Sequence, residues 1–463
     1  MRINTLQLTN VRGFTHAELQ FKQGFNLIVG INGVGKTTVL DSLRIVLSHI
    51  LTKTKSPEIT KESFKKKDIN INTNQLQLNT GFTVDNIDYD FIYSKSSKDF
   101  YIKEVESNTS QNKELRRQKD SIDRSIEKFI GKKDLDDNDL KDKTKINLIP
   151  SRQEGVNLED IIEFKPDLLS LNSKPLIGLF YSTRRSLIIN QTQKVAKSKF
   201  YYAAAFVDAL SENRNFNVKM FAEWYNVRQT LAEENPDNIK YNRVIELIQD
   251  TIYLFLPEFS NLGLAKDEIS GELTFCITKA EKVLNFTQLS DGERGILALV
   301  FDIARRLIIA NIREENPLHG QAVILIDELD LHLHPKWQRT IVGDLERTFP
   351  NCQFIATTHS PQIISSVLPE NIQIIKNFEV DQTVKSFGLD INWILKFIME
   401  DSDRLKESDE AIAAVQKLID DIEFEEARAL IEKYKVDNLD LSEWITFEAQ
   451  MSHLELFEDE EDN

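Results

Sequence analysis

The sequence is poor in cysteine and has no long apolar run, and each absence excludes a class of protein. Only Cys276 and Cys352 are present, far apart and without CxxC spacing, so neither a disulfide framework nor a cysteine zinc site is supported. No apolar run approaches the roughly 18 residues that a membrane helix needs. The opening "MRINTLQLTN" has no signal-peptide core and alternates like a strand. We therefore expect a soluble cytoplasmic protein with no membrane partner.

Histidine is also scarce, and its distribution argues against a separate metal centre. The chain has seven histidines: 16, 49, 319, 332, 334, 359 and 453. His332 and His334, in "LHLHP", form a close pair, but no further Cys or His neighbours them in sequence. A protein zinc site needs three or four such ligands. We therefore interpret the pair as packing at the entry of a helix.

The net charge of −17 is concentrated at one end of the chain. Residues 391–463 contain 22 acidic and seven basic residues, whereas the first 390 are nearly balanced. Such a run is usually solvated, but it can also dock on a basic partner or mimic DNA. Residues 168–207 contain no acid and six bases: Lys174, Arg184, Arg185, Lys194, Lys197 and Lys199. This segment is consistent with a phosphate-facing surface or with an ordinary basic face.

The pattern of apolar residues predicts an α/β core that is interrupted once. "INTLQLTN" and "HAELQF" alternate with period two, "FNLIVG" is a buried strand that runs into a glycine-rich turn, and "KTTVLDSLRIVLSHI" has helical spacing. A hairpin follows, and then a charged stretch with helical character between Lys95 and about Lys145. Strands and helices alternate again from "PLIGLFYS" to "NIQIIK", after which we expect helix. Such alternation favours a largely parallel sheet covered on both faces.

The turn after "FNLIV" has the composition of a phosphate-binding loop. Glycines allow backbone N–H groups to fold around phosphates, a lysine adds a cation, and a hydroxyl ligates Mg²⁺. The helix that follows points its positive end at the same charge. We expect ATP to be bound by Asn32, Gly33, Val34, Gly35, Lys36, Thr37 and Thr38, with Thr37 on the Mg²⁺ and Lys36 also acting in catalysis.

Two carboxylates and a histidine follow directly after two of the predicted strands. In "AVILIDELD" the apolar run leads to Asp327, predicted to hold Mg²⁺, and to Glu328, predicted to orient and deprotonate the attacking water. The next strand ends in "TTHSP", where His359 is predicted to sense the γ-phosphate. These three residues and the glycine-rich loop would share one edge of a parallel sheet.

The motifs occur in the order of a known family. The glycine-rich loop, "LSDGE" at 289–293, "VILIDELD" and "TTHS", together with "NVRGF" at 10–14, resemble the ABC-type ATPase head of the RecF, SMC and OLD branch. The resemblance implies a mostly parallel sheet with an antiparallel β subdomain, divided as 1–95 and 175–390, with a helical insertion and linker at 96–174 and an acidic helical region at 391–463.

That family joins two heads head to tail, which implies a role for "LSDGE". Ser290 and Gly292 would face the nucleotide of the partner head, with the helix that starts near Glu293 aimed at the phosphates. Asp291 should then face away from the triphosphate. The resemblance also implies that Arg12 touches the nucleotide and that Asp330 lies in the loop linking the two sites. This family also has a glutamine that couples Mg²⁺ to conformational change. The motifs do not locate it in this sequence, and Gln153 is one candidate.

The C-terminal region and one earlier segment resemble a narrower group. "SFGLDINWILKFIM" at 386–399, "AVQKLIDDIEFEEARALIEKY" at 414–434 and "LFYSTRRSL" at 179–187 are similar to PtuA, the ATPase group of Septu-type anti-phage systems, although Ser182 and Thr183 depart from the proline-containing version. This implies a defence ATPase that controls a separately encoded HNH endonuclease, with DNA as a further partner, in assemblies larger than a dimer. A RecF-like repair ATPase and an ATP-dependent scaffold with little hydrolysis are alternatives.

The chain is expected to cut no DNA by itself. An HNH site needs clustered His and Asn ligands, and the seven histidines offer none outside the nucleotide site. A nuclease of the OLD type would carry a Glu and a DxD motif on strands of an appended domain. The predicted helical character after "NIQIIK" leaves no strand end for that motif.

Overall fold

The chain forms two compact units, Met1–Leu389 and Asp390–Asn463. The computed structural model describes residues 1–53, 59–96, 160–165, 176–183, 187–188, 202–212, 216–266, 271, 273–383, 385–399 and 406–461. Most of the predicted insertion, Gln153 and all six bases of segment 168–207 lie outside these residues.

A six-stranded sheet forms the centre of the first unit. In spatial order its strands are β16 (Glu379–Gln382), β15 (Ile372–Lys376), β3 (Phe25–Val29), β14 (Cys352–Thr358), β13 (Ala322–Ile326) and β7 (Ile177–Tyr181). All neighbours pair in parallel except the edge strand β16. Every residue of β3, β13 and β14 is buried, which explains their unbroken apolar runs.

An antiparallel sheet of five strands forms the β subdomain. Its order is β2 (Phe14–Gln20), β1 (Arg2–Val11), β4 (Gln75–Val84), β5 (Ile87–Ser96) and β6 (Asp160–Lys165). Burial alternates along β4 because one face of the sheet is covered and the other is not. Gln353 joins the two sheets, since its side chain accepts from Ile3 N at 2.8 Å and donates to Ile3 O at 2.7 Å.

The helices of the first unit vary in length. Among its described residues they are α1 (Lys36–Thr52), α2 (Val218–Glu234), α3 (Ile239–Phe255), α4 (Asp291–Ala310), α5 (Pro335–Gln338), α6 (Ile341–Thr348) and α7 (Pro361–Ile364). Two small sheets are also present: β10 (Phe259–Lys266), β11 (Leu273–Lys279) and β12 (Lys282–Asn285) are antiparallel, and β8 (Leu187–Ile188) and β9 (Phe216–Asn217) are parallel.

Helix α4 is held in the core by apolar and charged contacts. Phe301 stacks on Phe221 of α2 with ring centroids 4.6 Å apart. The buried Asp302 accepts from the Tyr181 hydroxyl at 2.9 Å and pairs with Arg306 at 3.0 Å. Because a buried charge is tolerated only when it is paired, this network fixes α4 against the end of β7.

The predicted α/β class, with a mostly parallel sheet and an antiparallel subdomain, is confirmed, but three local predictions are wrong. The chain after "NIQIIK" is not helical at once: it turns back as β16. "PKWQRTIVGDLERTF" is two helices, α5 and α6, rather than one. The segment predicted as helical insertion and linker contains β6, which pairs with β5.

The second unit has a core of its own. Its helices are α8 (Ile391–Phe397), α9 (Lys406–Asp420), α10 (Phe424–Val436) and α11 (Glu443–Glu461). Trp444, only 1% exposed, packs among apolar side chains of α9 and α10, and its indole N–H donates to Leu439 O at 2.9 Å. Among the described residues of the whole chain, no helix has both the length and the apolar character to cross a membrane.

Candidate nucleotide-binding site

The glycine-rich loop lies between β3 and α1 at the carboxyl edge of the parallel sheet. Gly35 caps α1 with φ 103°, a left-handed conformation that side chains disfavour, and a Cβ there would lie 2.5 Å from Cε2 of Phe14. Lys36 Nζ donates to the carbonyls of Gly30 at 2.8 Å and Ile31 at 2.9 Å. The sequence thus forms the strand, loop and helix that a phosphate cradle requires.

The charge of Lys36 is balanced by carboxylates across the sheet edge. Burial lowers the pKa of this lysine, while Asp327, Glu328 and Asp330 act in the opposite direction. β3 lies beside β14, and β14 beside β13, so the ends of all three strands meet at this edge. The loop lysine and the acidic residues are therefore close in space although almost 300 residues separate them in sequence.

Thr37 and Asp327 form a pair of oxygen ligands. Thr37 Oγ1 lies 3.1 Å from Asp327 Oδ2, and the buried Thr357 hydroxyl donates to Asp327 Oδ1 at 2.7 Å. Asp327 N donates to Tyr181 O at 2.8 Å, which fixes the backbone at the end of β13. A hydroxyl and an oriented carboxylate are ligands that Mg²⁺ prefers, so these residues fit that ion.

Glu328 is held in an unusual backbone conformation. Its φ is 50°, in the left-handed region where non-glycine residues are uncommon, and its N–H donates to Thr357 Oγ1 at 2.7 Å. Such strain persists where the surroundings enforce it, and it is frequent at functional sites. Thr357 thus positions both Asp327 and Glu328, and nothing in the local sequence marked it for that role.

His359 follows β14, and its surroundings favour the neutral form of its ring. Burial lowers its pKa from the ordinary 6.5, and the positive charge of Lys36 lowers it further, against the opposing effect of Asp330, Glu328 and Asp327. Its backbone N–H donates to Asp330 Oδ1 at 3.1 Å. A neutral ring retains one donor and one acceptor, as a hydrogen-bonding sensor of a phosphate or a water requires.

Arg12 lies beside the first helix of the site. Its guanidinium donates to Asp68 Oδ1 at 2.9 Å, Asp41 Oδ2 at 3.0 Å and Thr38 Oγ1 at 3.2 Å. Its backbone is left-handed, with φ 49°, and Arg12 N donates to Asp68 O at 2.7 Å. The arginine predicted to touch the nucleotide is thus fastened to α1 through Thr38 and Asp41.

The "LSDGE" loop begins α4 with reciprocal caps. Ser290 N and Oγ both donate to Glu293 Oε2, at 2.7 and 2.8 Å, and Glu293 N donates back to Ser290 Oγ at 3.4 Å. Lys279 of β11 forms an ion pair with Glu293 Oε1. Although burial opposes it, the bonds from Lys279 and Ser290 keep the pKa of Glu293 below its usual value. The serine expected to donate to a phosphate therefore donates to this glutamate.

Gly292 is required by close packing within the head. A Cβ at this position would lie 2.5 Å from the carbonyl oxygen of His332 and 3.1 Å from the Trp337 ring. His332 belongs to the loop after β13, so the "LSDGE" loop and the loop that contains Asp330 pack together. Asp291 points into solvent, with 73% of its side chain exposed, and pairs with Arg294.

The order of strands, the glycine loop with its lysine, the Asp–Glu pair at the end of β13 and the capped "LSDGE" helix define an ABC-type ATPase head. Residues 25–365 match a family model described as "AAA domain, putative AbiEii toxin, Type IV TA system", and the chain belongs to this family.

The chain is similar to curated relatives and to solved structures. It is 30% identical to "Retron Ec83 probable ATPase" of Escherichia coli over 427 residues, which cover 87% of this chain and 77% of that protein. It is 22% identical to "Septu protein PtuA" of Bacillus thuringiensis, covering 94% and 93%. An SMC head bound to the C-winged helix domain of ScpA has a TM-score of 0.41 at 12% identity, covering 83% and 98%. The resemblance to the PtuA group is confirmed.

Proposed function

We propose that the chain binds ATP with Mg²⁺ and hydrolyses it as the ATPase subunit of an anti-phage defence complex. The observation that carries the catalytic part is the 3.1 Å approach of Thr37 Oγ1 to Asp327 Oδ2, since it joins the glycine loop to the acidic strand end. The names of relatives support the defence part, because they include a retron ATPase and a Septu protein.

The phosphates are bound by the loop and the start of α1. Backbone N–H groups of the loop, assisted by its polar side chains, surround the β- and γ-phosphates. The loop residues are Asn32, Gly33, Val34, Gly35, Lys36, Thr37 and Thr38. Thr37 and Asp327 would hold Mg²⁺, which would supply positive charge to the phosphate oxygens. Arg12, fixed beside Thr38, contacts the nucleotide from the β subdomain.

Two residues act on the water and the γ-phosphate. Glu328 orients the attacking water and accepts its proton, and the backbone bond to Thr357 keeps this carboxylate at the end of β13. His359 hydrogen-bonds the γ-phosphate and thereby distinguishes ATP from ADP. Its lowered pKa supports this role, because a neutral ring can both donate and accept.

The second half of each site comes from another copy of the chain. Two heads associate head to tail, so that Ser290 and Gly292 face the partner's ATP. The N-terminus of the long helix α4 supports this arrangement, since a helix end carries partial positive charge. Ser290 must then exchange its bond to Glu293 for one to the phosphate.

The ATPase controls a separately encoded HNH endonuclease and through it acts on DNA, and residues 391–463 contact this partner. The C-terminal unit supports the assignment because it exposes apolar side chains among its acids: Val436 is 80% and Ile445 74% exposed. Apolar side chains exposed on a charged surface can contribute to a protein interaction surface.

One experiment tests the enzyme and the complex together. The chain and the HNH nuclease proposed as its partner are co-expressed, and ATP binding, ATP turnover and co-purification are measured for the wild type, Lys36→Ala and the exposed-lysine control Lys22→Ala. We expect Lys36→Ala alone to lose ATP binding and turnover. Unchanged ATP affinity in Lys36→Ala would exclude the site. ATP binding without turnover would instead support the scaffold, and failure to co-purify would remove the nuclease partner.

A further inference from the structure

The hairpin between β15 and β16 turns through two residues in a costly conformation. Lys376 pairs with Glu379, which leaves Asn377 and Phe378 as the loop, with φ 49° and 64°. Two positive φ values define the type I′ turn, whose second position is normally glycine. A phenylalanine is uncommon in this conformation, so the contacts of its ring are of interest.

The Phe378 ring lies between two glycines of the nucleotide site. A Cβ added to Gly13 would overlap three carbons of the ring, and one added to Gly35 would lie 3.3 Å from it. The ring also meets Phe14 edge to face, with centroids 5.5 Å apart at 85°. Phe378 therefore packs against both the turn that carries Arg12 and the last glycine of the phosphate loop.

The same hairpin supports the first glycine of the loop. β15 pairs in parallel with β3, with Ile374 opposite Val29. The carbonyl oxygen of Ile375 occupies the place that a Cβ on Gly30 would take. Both ends of the loop, Gly30 and Gly35, thus rest on one hairpin, although no residue of that hairpin belongs to a nucleotide-binding motif.

We propose that Phe378 is a positioning residue for the nucleotide site. Its ring fixes the distance between the Arg12–Gly13 turn and Gly35, and so the direction of the loop N–H groups and of the Arg12 guanidinium. The inference rests on the proposed function, because it concerns ATP bound at this loop. It adds a residue that touches neither phosphate nor metal but determines how tightly they bind.

A size exchange between Gly13 and Phe378 tests the proposal. Gly13→Ala adds a methyl group whose three nearest neighbours are carbons of the Phe378 ring, and Phe378→Ala removes that ring. We expect each single variant to weaken the binding of a fluorescent ATP analogue with Mg²⁺ about tenfold or more. In the double variant the affinity for the analogue should fall by less than the product of the two single-variant factors, because the added methyl group then enters the vacated space. Phe378→Leu should retain intermediate affinity.

The control is Phe82→Ala, which removes a fully buried ring that stacks on Tyr89 near the far end of β1. It should lower the thermal unfolding midpoint without changing ATP affinity below that temperature. If Phe378→Ala or Phe378→Leu binds like the wild type, or if the losses in the double variant multiply, Phe378 has only a structural role and the proposal is overturned. If the wild type does not bind the analogue either, the proposed function itself fails and this inference fails with it.

Discussion

Asp330 accepts a hydrogen bond from the backbone N–H of His359 at 3.1 Å, and its same oxygen accepts the Thr358 hydroxyl at 2.6 Å. One carboxylate therefore joins the loop after β13 to the end of β14. Gly292 of the "LSDGE" helix packs on His332 in that same loop. The helix is therefore linked to His359 through the loop that contains Asp330 and His332. A displacement of this loop would move the acidic pair and His359 together.

The first prediction concerns this bond. Asp330→Ala should lower the ATP turnover rate by about tenfold or more, since hydrogen bonds to charged groups are worth about 1.5–3 kcal/mol. ATP affinity should change little, because Lys36 and the loop are untouched. Asp330→Asn keeps an acceptor oxygen and should retain most of the rate. Turnover of Asp330→Ala at the wild-type level would show that His359 needs no such support.

The second prediction separates binding from hydrolysis. Glu328→Gln keeps the shape of the side chain but cannot accept a proton, so turnover should fall by about 100-fold or more. ATP should still bind, and an ATP-loaded assembly should accumulate and appear as a larger species in size-exclusion chromatography. Glu370→Gln, an exposed carboxylate in the same unit, is the control. Turnover at the wild-type rate would mean that another residue is the base.

Much of the head could be predicted because its signals are local. The "FNLIV" strand, the glycine turn and the helix from Lys36 lie within a few residues of one another, and each pattern has a direct physical cause. The same holds for the apolar run that ends at Asp327. The functions assigned to these residues stay predictions.

The other parts of the fold and of the site depend on contacts between residues that are distant in sequence, and spacing along the chain does not reveal them. β16 is short, polar and mostly exposed, and its turn has Asn-Phe in place of Asn-Gly, so no hairpin signal was present. Thr357, Lys279 and Phe378 reach the site from neighbouring strands or a distant hairpin. Spacing along the sequence does not mark these residues, and only the folded chain brings them to the site.

The third prediction concerns the metal. Thr37→Val preserves the volume of the side chain but removes its hydroxyl, so the Mg²⁺ concentration that supports half-maximal turnover should rise about tenfold or more. Thr37→Ser restores the hydroxyl and should return the requirement close to that of the wild type. A Mg²⁺ titration of turnover, with EDTA as the zero point, measures this. An unchanged Mg²⁺ requirement in Thr37→Val would remove Thr37 from the metal site.

The fourth prediction compares two glycines of one helix. Alanine normally favours a helix over glycine by up to about 1 kcal/mol. Gly295 has nothing within 4 Å of an added Cβ, so Gly295→Ala should leave the unfolding midpoint unchanged or raise it. At Gly292 the same methyl group meets the backbone of His332, and such overpacking typically costs about 1–3 kcal/mol.

Gly292→Ala should therefore displace the "LSDGE" loop from the loop of Asp330. We expect ATP binding by the single chain to persist, because the phosphate loop lies elsewhere, while the ATP-dependent assembly of a Glu328→Gln background is lost. Gly295→Ala in that background should assemble normally. Light scattering with and without ATP distinguishes the two variants. Assembly of the Gly292→Ala protein at the control level would contradict a role for this loop in joining two heads, since its packing cannot tolerate the methyl group without movement.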